Sequence, residues 1–452
     1  MLFTFILLVL QLLTIPLVQV YFLIYTPTPP TRAPWKPPLA PPAVPNDPLH
    51  LVTAKPFADL GPLLDYNRKH SMASHGRKVV AYYTAWSIYG RKYTPDRIPV
   101  ERLTHLIYAF ANIENGEIAL GDRWADVEVG YPGDHDGQPV KGNFNQLTNP
   151  NSPLRQRNPN LKVLIAIGGW NWSSEFARVA STDESRRRFA RSVGHFVRHY
   201  NFDGADIDWE FPVVGGLAGD GPRPEEAQNY VALMQTLHNE LAAASAGRRE
   251  PLLLTTAMSA SQRTYRHYQF QALSQWVDFF NVMTYDFKGP WSQQTGHQAC
   301  LTPAANDPTT SIWTSINEYL AGGVPPNKIV LGVPFYGRGF ANVAASSDNP
   351  SGLFVPFQGV PKGTWEDGIF DYRHLRNEHL TAQSSFQRFW DEYSKSVSLY
   401  DPASRVFISY DDPESIKHKC EHIKRFNLGG AMIWDISSDY ETELVDAINA
   451  NL

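Results

Sequence analysis

Eight short apolar runs, rich in β-branched and aromatic residues, recur along the chain after Lys78, with longer amphipathic stretches between them. An apolar run bounded by turn residues is typical of a strand that is buried on both faces of a parallel sheet. Alternation with amphipathic stretches indicates repeated βα units, and eight such units predict a closed (β/α)8 TIM barrel of the α/β class. The runs are Val79–Tyr83, Leu106–Ala111, Val163–Ile167, Gly204–Glu210, Leu252–Met258, Phe279–Tyr285, Ile329–Tyr336 and Gly430–Ile436.

Helical patterns fill the intervals between these runs. Asp183 to His199 carries basic and apolar residues at helical spacing, and Pro224 to Leu241 begins with a Pro-Glu-Glu start signal. After the seventh run, Gly339 to Tyr410 shows alternating and aromatic segments unlike a crossover helix, and a new helix start follows at Asp412. We therefore predict a small α+β domain inserted after strand seven, which forms a wall beside the carboxyl ends of the strands.

Three carboxylates stand in one row at the end of the fourth run. Asp206, Asp208 and Glu210 are spaced at i, i+2 and i+4, which points all three side chains to one face of a strand. Like charges in a partly desolvated site cannot all ionise, so one carboxyl stays protonated near neutral pH and can act as a general acid. Two alternatives remain open on spacing alone: a solvated or Arg-paired strand end, and a site for a hard metal ion, although further oxygen ligands are not visible nearby.

The charge balance bears on the class of partner. The chain has 40 Lys and Arg against 45 Asp and Glu, a net charge of -5, so a polyanion such as nucleic acid is not indicated. A neutral polymer fits better. Aromatic residues make up 13% of the chain, with 12 Trp and 21 Tyr, which is consistent either with stacking on flat sugar faces or with a large aromatic core.

The amino-terminal segment predicts export. Residues 1–25 carry no charged side chain and begin with an apolar run, which indicates a signal peptide or a membrane anchor; whether it is cleaved stays open. Thr26 to Pro48 is dense in proline and predicts an extended stalk or leader. The two cysteines, Cys300 and Cys420, are compatible with one disulfide or with two buried thiols. The predicted division is 1–25 signal or anchor, 26–76 proline-rich linker and leader, 77–338 first part of the barrel, 339–410 insertion and 411–452 last part of the barrel.

Several motifs resemble those of one enzyme family. FDGADIDWEFP, residues 202–212, resembles the DGxxDxDxE-type signature of family 18 glycoside hydrolases, the chitinases, and KVLIAIGGWNWS resembles the strand motif that precedes it. MTYDFKGPW, GVPFYGRGF, GTWEDG and GGAMIWDISSDY are also similar to family motifs, in the family's order. The resemblance covers Lys78 to Leu452, and the insertion is similar to that of the subfamily whose barrels carry one.

The resemblance implies a substrate-assisted mechanism, and this mechanism makes the family an exception among glycosidases. It assigns Glu210 as the proton donor and later the base, with the substrate's own acetamido oxygen as nucleophile and retention of configuration. Asp208 would orient the acetamido N–H, Asp206 would share a proton with Asp208, and Tyr285 would donate to the acetamido oxygen. Many relatives have Ser where Ala166 stands, so one hydrogen bond to the buried Asp is expected to be absent, with a shifted pH optimum.

The resemblance also assigns the residues that bind sugar. Trp434 would form the floor under the ring at the cleavage point, and Trp170 and Trp291 would stack further units, although each is also compatible with packing. Asp286 and Arg338 are alternatively explained by a salt bridge that shapes the cleft. The expected substrate-binding residues are Tyr82, Phe110, Gly169, Trp170, Phe211, Met283, Asp286, Trp291, Arg338 and Trp434.

With the family resemblance, these features predict a chitinase, secreted or anchored through residues 1–25, that hydrolyses β-1,4-N-acetylglucosamine linkages in chitin and chito-oligosaccharides. No metal motif, nucleotide loop or separate carbohydrate-binding module is recognisable, so no cofactor and no metal are expected, and we expect a monomer. A non-catalytic chitin-binding lectin on the same fold is the alternative, although such lectins have typically lost the acid that Glu210 supplies. A glycosidase that releases N-glycans is a third reading, which the insertion disfavours.

Overall fold

The eight predicted runs form a closed parallel barrel in the computed structural model, which describes residues 51–52, 76–135, 137–217, 223–304 and 307–452. The strands are β1 Leu51–Val52, β2 Lys78–Thr84, β3 His105–Glu114, β4 Glu117–Ala119, β5 Lys162–Gly168, β6 Gly204–Asp208, β7 Leu253–Ser259, β8 Phe279–Met283, β9 Ile329–Pro334, β10 Tyr336–Phe340, β11 Ile369–Asp371, β12 Gln387–Asp391, β13 Ser396–Asp401, β14 Val406–Tyr410 and β15 Gly430–Trp434. Strands β2, β3, β5 to β9 and β15 make the barrel, which closes because β2 pairs in parallel with both β3 and β15. The prediction of a (β/α)8 TIM barrel is therefore confirmed.

Helices cover the outside of the barrel. They are α1 Gly142–Thr148, α2 Pro153–Arg157, α3 Phe176–Ala180, α4 Asp183–His199, α5 Glu225–Ala244, α6 Gln262–Tyr265, α7 Phe270–Leu273, α8 Ile312–Ala321, α9 Tyr372–His374, α10 Pro413–Arg425 and α11 Glu443–Asn451. Helix α4 begins where predicted because the side chains of Thr182 and Ser185 reciprocally cap its first turn. Asp412 caps α10 in the same way, with Pro413 at the first helical position.

Two apolar layers hold the barrel. Side chains that alternate along each strand point either into the barrel or toward the helices. The cluster inside the barrel includes Ile107, Leu164 and Met432, which are all fully buried. A much larger cluster lies between strands and helices and includes Phe189 and Leu237 from α4 and α5. The barrel is thus a packed core, and a site can form only at its ends.

A second, antiparallel sheet has the order β1-β12-β13-β14-β10-β11. Its strands follow the seventh barrel strand except β1, Leu51–Val52, which comes from the predicted linker and pairs with β12. It has its own apolar cluster, in which Phe340, Phe389 and Phe407 are buried. Strand β10 begins at Tyr336, slightly before the predicted insertion boundary at Gly339. The sheet agrees with an inserted α+β unit, while the exact domain boundaries stay a prediction.

The two cysteines are both buried and unbonded, so the thiol alternative holds for Cys300 and Cys420. Burial raises the pKa of each thiol to about 12. In the part of the chain that the structure describes, no helix has the length and apolar character needed to cross a bilayer. The predicted signal or anchor at 1–25 lies outside the described residues, as does most of the predicted linker at 26–76.

Candidate active site

The acidic row lies at the carboxyl end of β6, inside the mouth of the barrel. Asp206 and Asp208 belong to the strand itself, where they pair in register with Ala166 and Gly168 of β5. Glu210 follows just beyond the strand. Because alternate residues of a strand face the same side, the three carboxylates form one column that rises from the buried interior toward the cleft.

Asp206 is the deepest member and is completely buried. Its carboxylate accepts hydrogen bonds from the Tyr82 hydroxyl at 2.7 Å, the Thr255 hydroxyl at 2.5 Å and the Asn281 amide at 3.1 Å. Burial raises the pKa of Asp206, and these three donors act in the opposite direction because they stabilise the charged form. Ala166 has no hydroxyl to donate, and the donors come from three other barrel strands, β2, β7 and β8.

Asp208 stands between two other carboxyl groups. It is almost fully buried, and its Oδ1 atom has no hydrogen-bond partner among the described residues. Burial, followed by the negative charges of Glu210 and Asp206, raises the pKa of Asp208 well above its usual value. A buried acceptor without a donor is costly, so this atom marks a place where a bound molecule can donate a hydrogen bond.

Glu210 reaches the cleft and is held at its backbone. Its N–H donates to the Ser173 hydroxyl at 2.8 Å, and that hydroxyl donates to the carbonyls of Asp208 and Gly169 at 3.0 and 2.8 Å. Burial, together with the negative charge of Asp286, raises the pKa of Glu210 to about 8. A carboxyl with this pKa carries a proton at neutral pH and can act as a general acid toward a molecule in the cleft.

This raised pKa has a consequence for stability. Between the ordinary pKa of 4.5 in the unfolded chain and about 8 in the folded protein, only the folded state binds the Glu210 proton. The stabilisation from Glu210 is therefore fully present below pH 4.5 and is lost as the pH rises from there to about 8. We expect the melting temperature of the parent to fall more than that of E210Q between pH 6 and pH 9, as measured by calorimetry. E225Q, at an exposed site, should behave like the parent, and parallel curves for parent and E210Q would contradict the raised pKa.

Tyr285 and Asp286 lie just after β8, on the neighbouring side of the cleft. Burial raises the pKa of Tyr285 well above its usual value, so its hydroxyl stays a hydrogen-bond donor. Asp286 accepts from Tyr336 at 2.6 Å and forms a bidentate pair with Arg338 at 2.5 and 2.6 Å. The salt-bridge alternative for Asp286 and Arg338 is thus what the structure shows, and both side chains nevertheless line the cleft.

Aromatic rings line the cleft from its floor to its rim. The Trp434 ring lies 5.3 Å from the Tyr82 ring and 5.7 Å from the Phe110 ring, both measured between centroids. Trp170 and Trp291 are 48% and 62% exposed, and the Arg338 guanidinium lies 4.9 Å from the Trp291 ring. Trp434 is therefore fixed by packing, whereas Trp170 and Trp291 offer free faces to a ligand.

Two adjoining cavities make up the cleft, with volumes of about 530 and 400 Å3, and they share Glu210, Tyr285 and Trp291 among their walls. Phe211 lines only the smaller cavity, while Phe110, Gly169 and Asp206 lie behind the walls. A side chain at Gly169 would meet the Phe110 ring at 2.7 Å, so this glycine allows close packing. The predicted residues that line the larger cavity are Tyr82, Trp170, Asp208, Glu210, Met283, Tyr285, Asp286, Trp291, Arg338 and Trp434.

The larger cavity also contains residues that sequence reasoning did not single out. Trp86 and Arg91 come from the loop after β2, and Glu366 and Asp371 come from the inserted sheet region. Arg91 pairs with Asp371 at 2.9 Å, which joins the barrel loop to the insertion at one end of the cleft. The motif GTWEDG, which contains Glu366, is the sequence signal for this part of the cavity. The motif alone does not show which of its side chains faces the cavity.

Comparisons with known proteins agree with this geometry. The family model described as "Glycosyl hydrolases family 18" matches residues 78–439. Chitinase A1 of Niallia circulans is 38% identical to this chain, and the alignment covers 84% of this chain. It covers only 59% of the length of Chitinase A1. Chitinase 1 of Aphanocladium album is 36% identical, over 79% of this chain and 80% of its own.

A solved structure shows the same likeness in three dimensions. Chitinase ChiA74 from Bacillus thuringiensis superposes with a TM-score of 0.77 at 35% identity and covers 83% of this chain and 69% of its own. The family match extends over all eight barrel strands, including the acidic row on β6. The chain therefore belongs to the glycosyl hydrolases of family 18.

Proposed function

We propose that the protein is a chitinase that cleaves β-1,4-linked N-acetylglucosamine polymers by a retaining, substrate-assisted mechanism. The observation that carries the proposal is Asp208, which lines the cleft together with Glu210 and Tyr285 and whose buried Oδ1 atom has no hydrogen-bond partner among the described residues. An acetamido group supplies the missing donor, because its N–H is a hydrogen-bond donor and its carbonyl oxygen an acceptor. The similarity to proteins named chitinases supports the same substrate class.

The proposed reaction uses Glu210 twice, first as acid and then as base. Glu210 gives its proton to the glycosidic oxygen while the acetamido oxygen of the same sugar attacks the anomeric carbon, which breaks the glycosidic bond and forms an oxazolinium ion. Asp208 accepts the acetamido N–H, Tyr285 donates to the acetamido oxygen, and Asp206 shares a proton with Asp208. The Glu210 carboxylate then takes a proton from water as the water attacks the anomeric carbon from the face opposite the acetamido oxygen. The bond between the anomeric carbon and the acetamido oxygen breaks, and its electron pair returns to the acetamido group. Two displacements return the original configuration.

The geometry supports the use of an internal nucleophile. Only Glu210 of the three carboxylates reaches partly into solvent, whereas Asp206 is sealed beneath Asp208 by the Tyr82, Thr255 and Asn281 donors. No second carboxylate of the acidic row stands free across the cleft to attack an anomeric carbon. A nucleophile already attached to the substrate needs no such group, and its attachment supplies the orientation that speeds the attack.

The rival function on this fold is a chitin-binding lectin without activity. Such a protein needs the aromatic cleft but has no use for a carboxyl whose pKa is raised to about 8 beside two further acids. The deciding experiment is product analysis on chitin, chitotetraose and fluorogenic di- and trisaccharides. Binding without release of product would support the lectin, and release of smaller chito-oligosaccharides would support the enzyme and define its cleavage register.

Trp291 should contribute to binding of longer chains. Because its exposed ring offers one face to the cleft while Arg338 lies against it, W291A should raise KM for chitotetraose and longer oligomers by about threefold to tenfold. The aromatic control W291F keeps a stacking face and should stay close to the parent. Steady-state kinetics on a series of chain lengths will test this, and an equal rise in KM for the disaccharide would contradict a role confined to distal sugar units.

For the localisation, we propose export through the amino-terminal segment, with residues 1–25 acting as signal peptide or anchor. The proposal rests on the sequence of that segment alone. Fractionation of cells that express the full chain, followed by amino-terminal sequencing of the secreted form, tests it. Exclusive recovery of uncleaved protein from the cytosol would contradict export.

A further inference from the structure

A strained backbone position lies just after the proposed acid. Val213 has a φ of +74°, a conformation that is rare for any side chain and a clear outlier for a β-branched one. Its side chain is buried, at 5% exposure. A residue held in this way is strained and persists only where its surroundings determine its conformation. The contacts of Val213 therefore show which groups hold this loop in its strained conformation.

Both polar groups of the Val213 backbone are held from the start of the next helix. The N–H donates to Oε2 of Glu226 at 2.8 Å, and the carbonyl accepts from the N–H of Arg223 at 3.1 Å. Arg223 and Glu226 in turn form an ion pair at 2.8 Å. These three residues, Val213, Arg223 and Glu226, are called the loop clamp below.

The clamp acts on a segment folded back against the end of the catalytic strand. A side chain at Gly216 would meet the Glu210 carbonyl at 2.3 Å, so this part of the loop lies directly on the Glu210 backbone. Phe211, between Glu210 and the clamp, lines the smaller cavity. Phe211 and the Glu210 main chain therefore lie next to the segment that the clamp holds.

Glu226 itself lines neither cavity, although its side chain is almost completely buried, at 4% exposure. Burying a carboxylate is costly unless charges and donors compensate for lost water. Here the compensation includes the backbone N–H of the strained residue. We propose that Glu226 is a positioning residue, which holds the loop after β6 so that Glu210 meets the substrate; this rests on the proposed function.

Kinetics of matched variants test the proposal. E226L removes the acceptor at similar volume and should lower kcat at least about tenfold, because small misplacements of catalytic groups are costly, with KM within about threefold of the parent. E226Q keeps an acceptor oxygen for the Val213 N–H and should restore kcat to within about threefold. E225A, an exposed neighbour on the same turn, controls for changes to the helix start. An E226L variant with the parental kcat, or an E226Q variant as slow as E226L, would overturn the proposal.

Hydrogen–deuterium exchange of the peptide spanning residues 210–217 gives a readout that does not need activity. Exchange should accelerate in E226L and stay near the parental rate in E226Q and E225A. Unchanged exchange in E226L would overturn the clamp whatever the kinetics show. An inactive parent protein would instead contradict the proposed function, and the exchange data would still decide whether Glu226 holds the loop.

The double variant E226L/V213G covers the case in which E226L does not fold. Glycine adopts a positive φ without steric cost, so it removes the strain that the clamp would otherwise hold. The double variant should therefore fold and should show a kcat between those of E226L and the parent, or measurable activity where E226L is unfolded. A double variant that is unfolded, or no faster than a folded E226L, would contradict the link between the Val213 strain and Glu226.

Discussion

Replacement of Glu210 by glutamine should lower kcat on chitotriose derivatives by about a hundred-fold or more, since general acid catalysis contributes about 10² to 10⁴. Glutamine has nearly the same shape and keeps the backbone N–H bond to Ser173, so the loop should remain in place. It cannot donate a proton to the glycosidic oxygen or later take one from water. The loss should therefore appear in kcat, measured by steady-state kinetics with fluorogenic di- and trisaccharides.

Binding separates this prediction from general damage to the site. Trp434, Trp170 and Trp291 are unchanged in E210Q, so the dissociation constant for chitotetraose from calorimetry should stay within about threefold of the parent. E225Q, an exposed change on α5, is the matched control and should keep the parental kcat. Parental turnover by E210Q would show that another group donates the proton. Loss of binding together with turnover would show that Glu210 shapes the cleft instead.

The fold was predictable because its signals are local. Each barrel strand is a short buried run whose apolar residues lie next to one another in the sequence, as in β9, Ile329–Pro334, where every residue is buried. Helix α4 was predictable because its basic and apolar residues recur at helical spacing, and Thr182 caps its start at Asp183. The last predicted run continues to Ile436, whereas β15 ends at Trp434, because Asp435 leaves the strand and caps the next short turn. Apolar character continues past the point where strand pairing ends.

The candidate site was predictable only where its residues share one strand. The acidic row is contiguous on β6, so its spacing alone indicates one face. Thr255 and Asn281, which hydrogen-bond Asp206, come from β7 and β8, and nothing local distinguishes them from other polar strand residues. Ser173 reaches the Glu210 N–H from a different βα loop. These contacts depend on barrel closure, which sets the register between strands and is not encoded in any single segment.

The second large effect should appear when the acetamido group is removed from the substrate. If that group supplies the nucleophile, cello-oligosaccharides and fully deacetylated chitosan oligomers should show turnover at least about a hundred-fold below that of chito-oligosaccharides, because effective molarities for tethered groups are very high. Asp208→Asn should also lose kcat, since an amide orients the acetamido N–H less well than a carboxyl with a free Oδ1 atom. Matched oligomers of equal length, followed by chromatography of the products, provide the measurement.

The anomer formed first distinguishes the proposed chemistry from a direct attack by water. Two displacements at the anomeric carbon retain the β configuration, whereas a single displacement by water produces the α anomer. Proton NMR of the parent reaction within the first minutes, before mutarotation, should therefore show the β product. An initial α product would exclude the tethered nucleophile. Cello-oligosaccharide turnover comparable to that of chito-oligosaccharides would exclude it as well, because Asp208 would then have no acetamido N–H to accept while the reaction still proceeded.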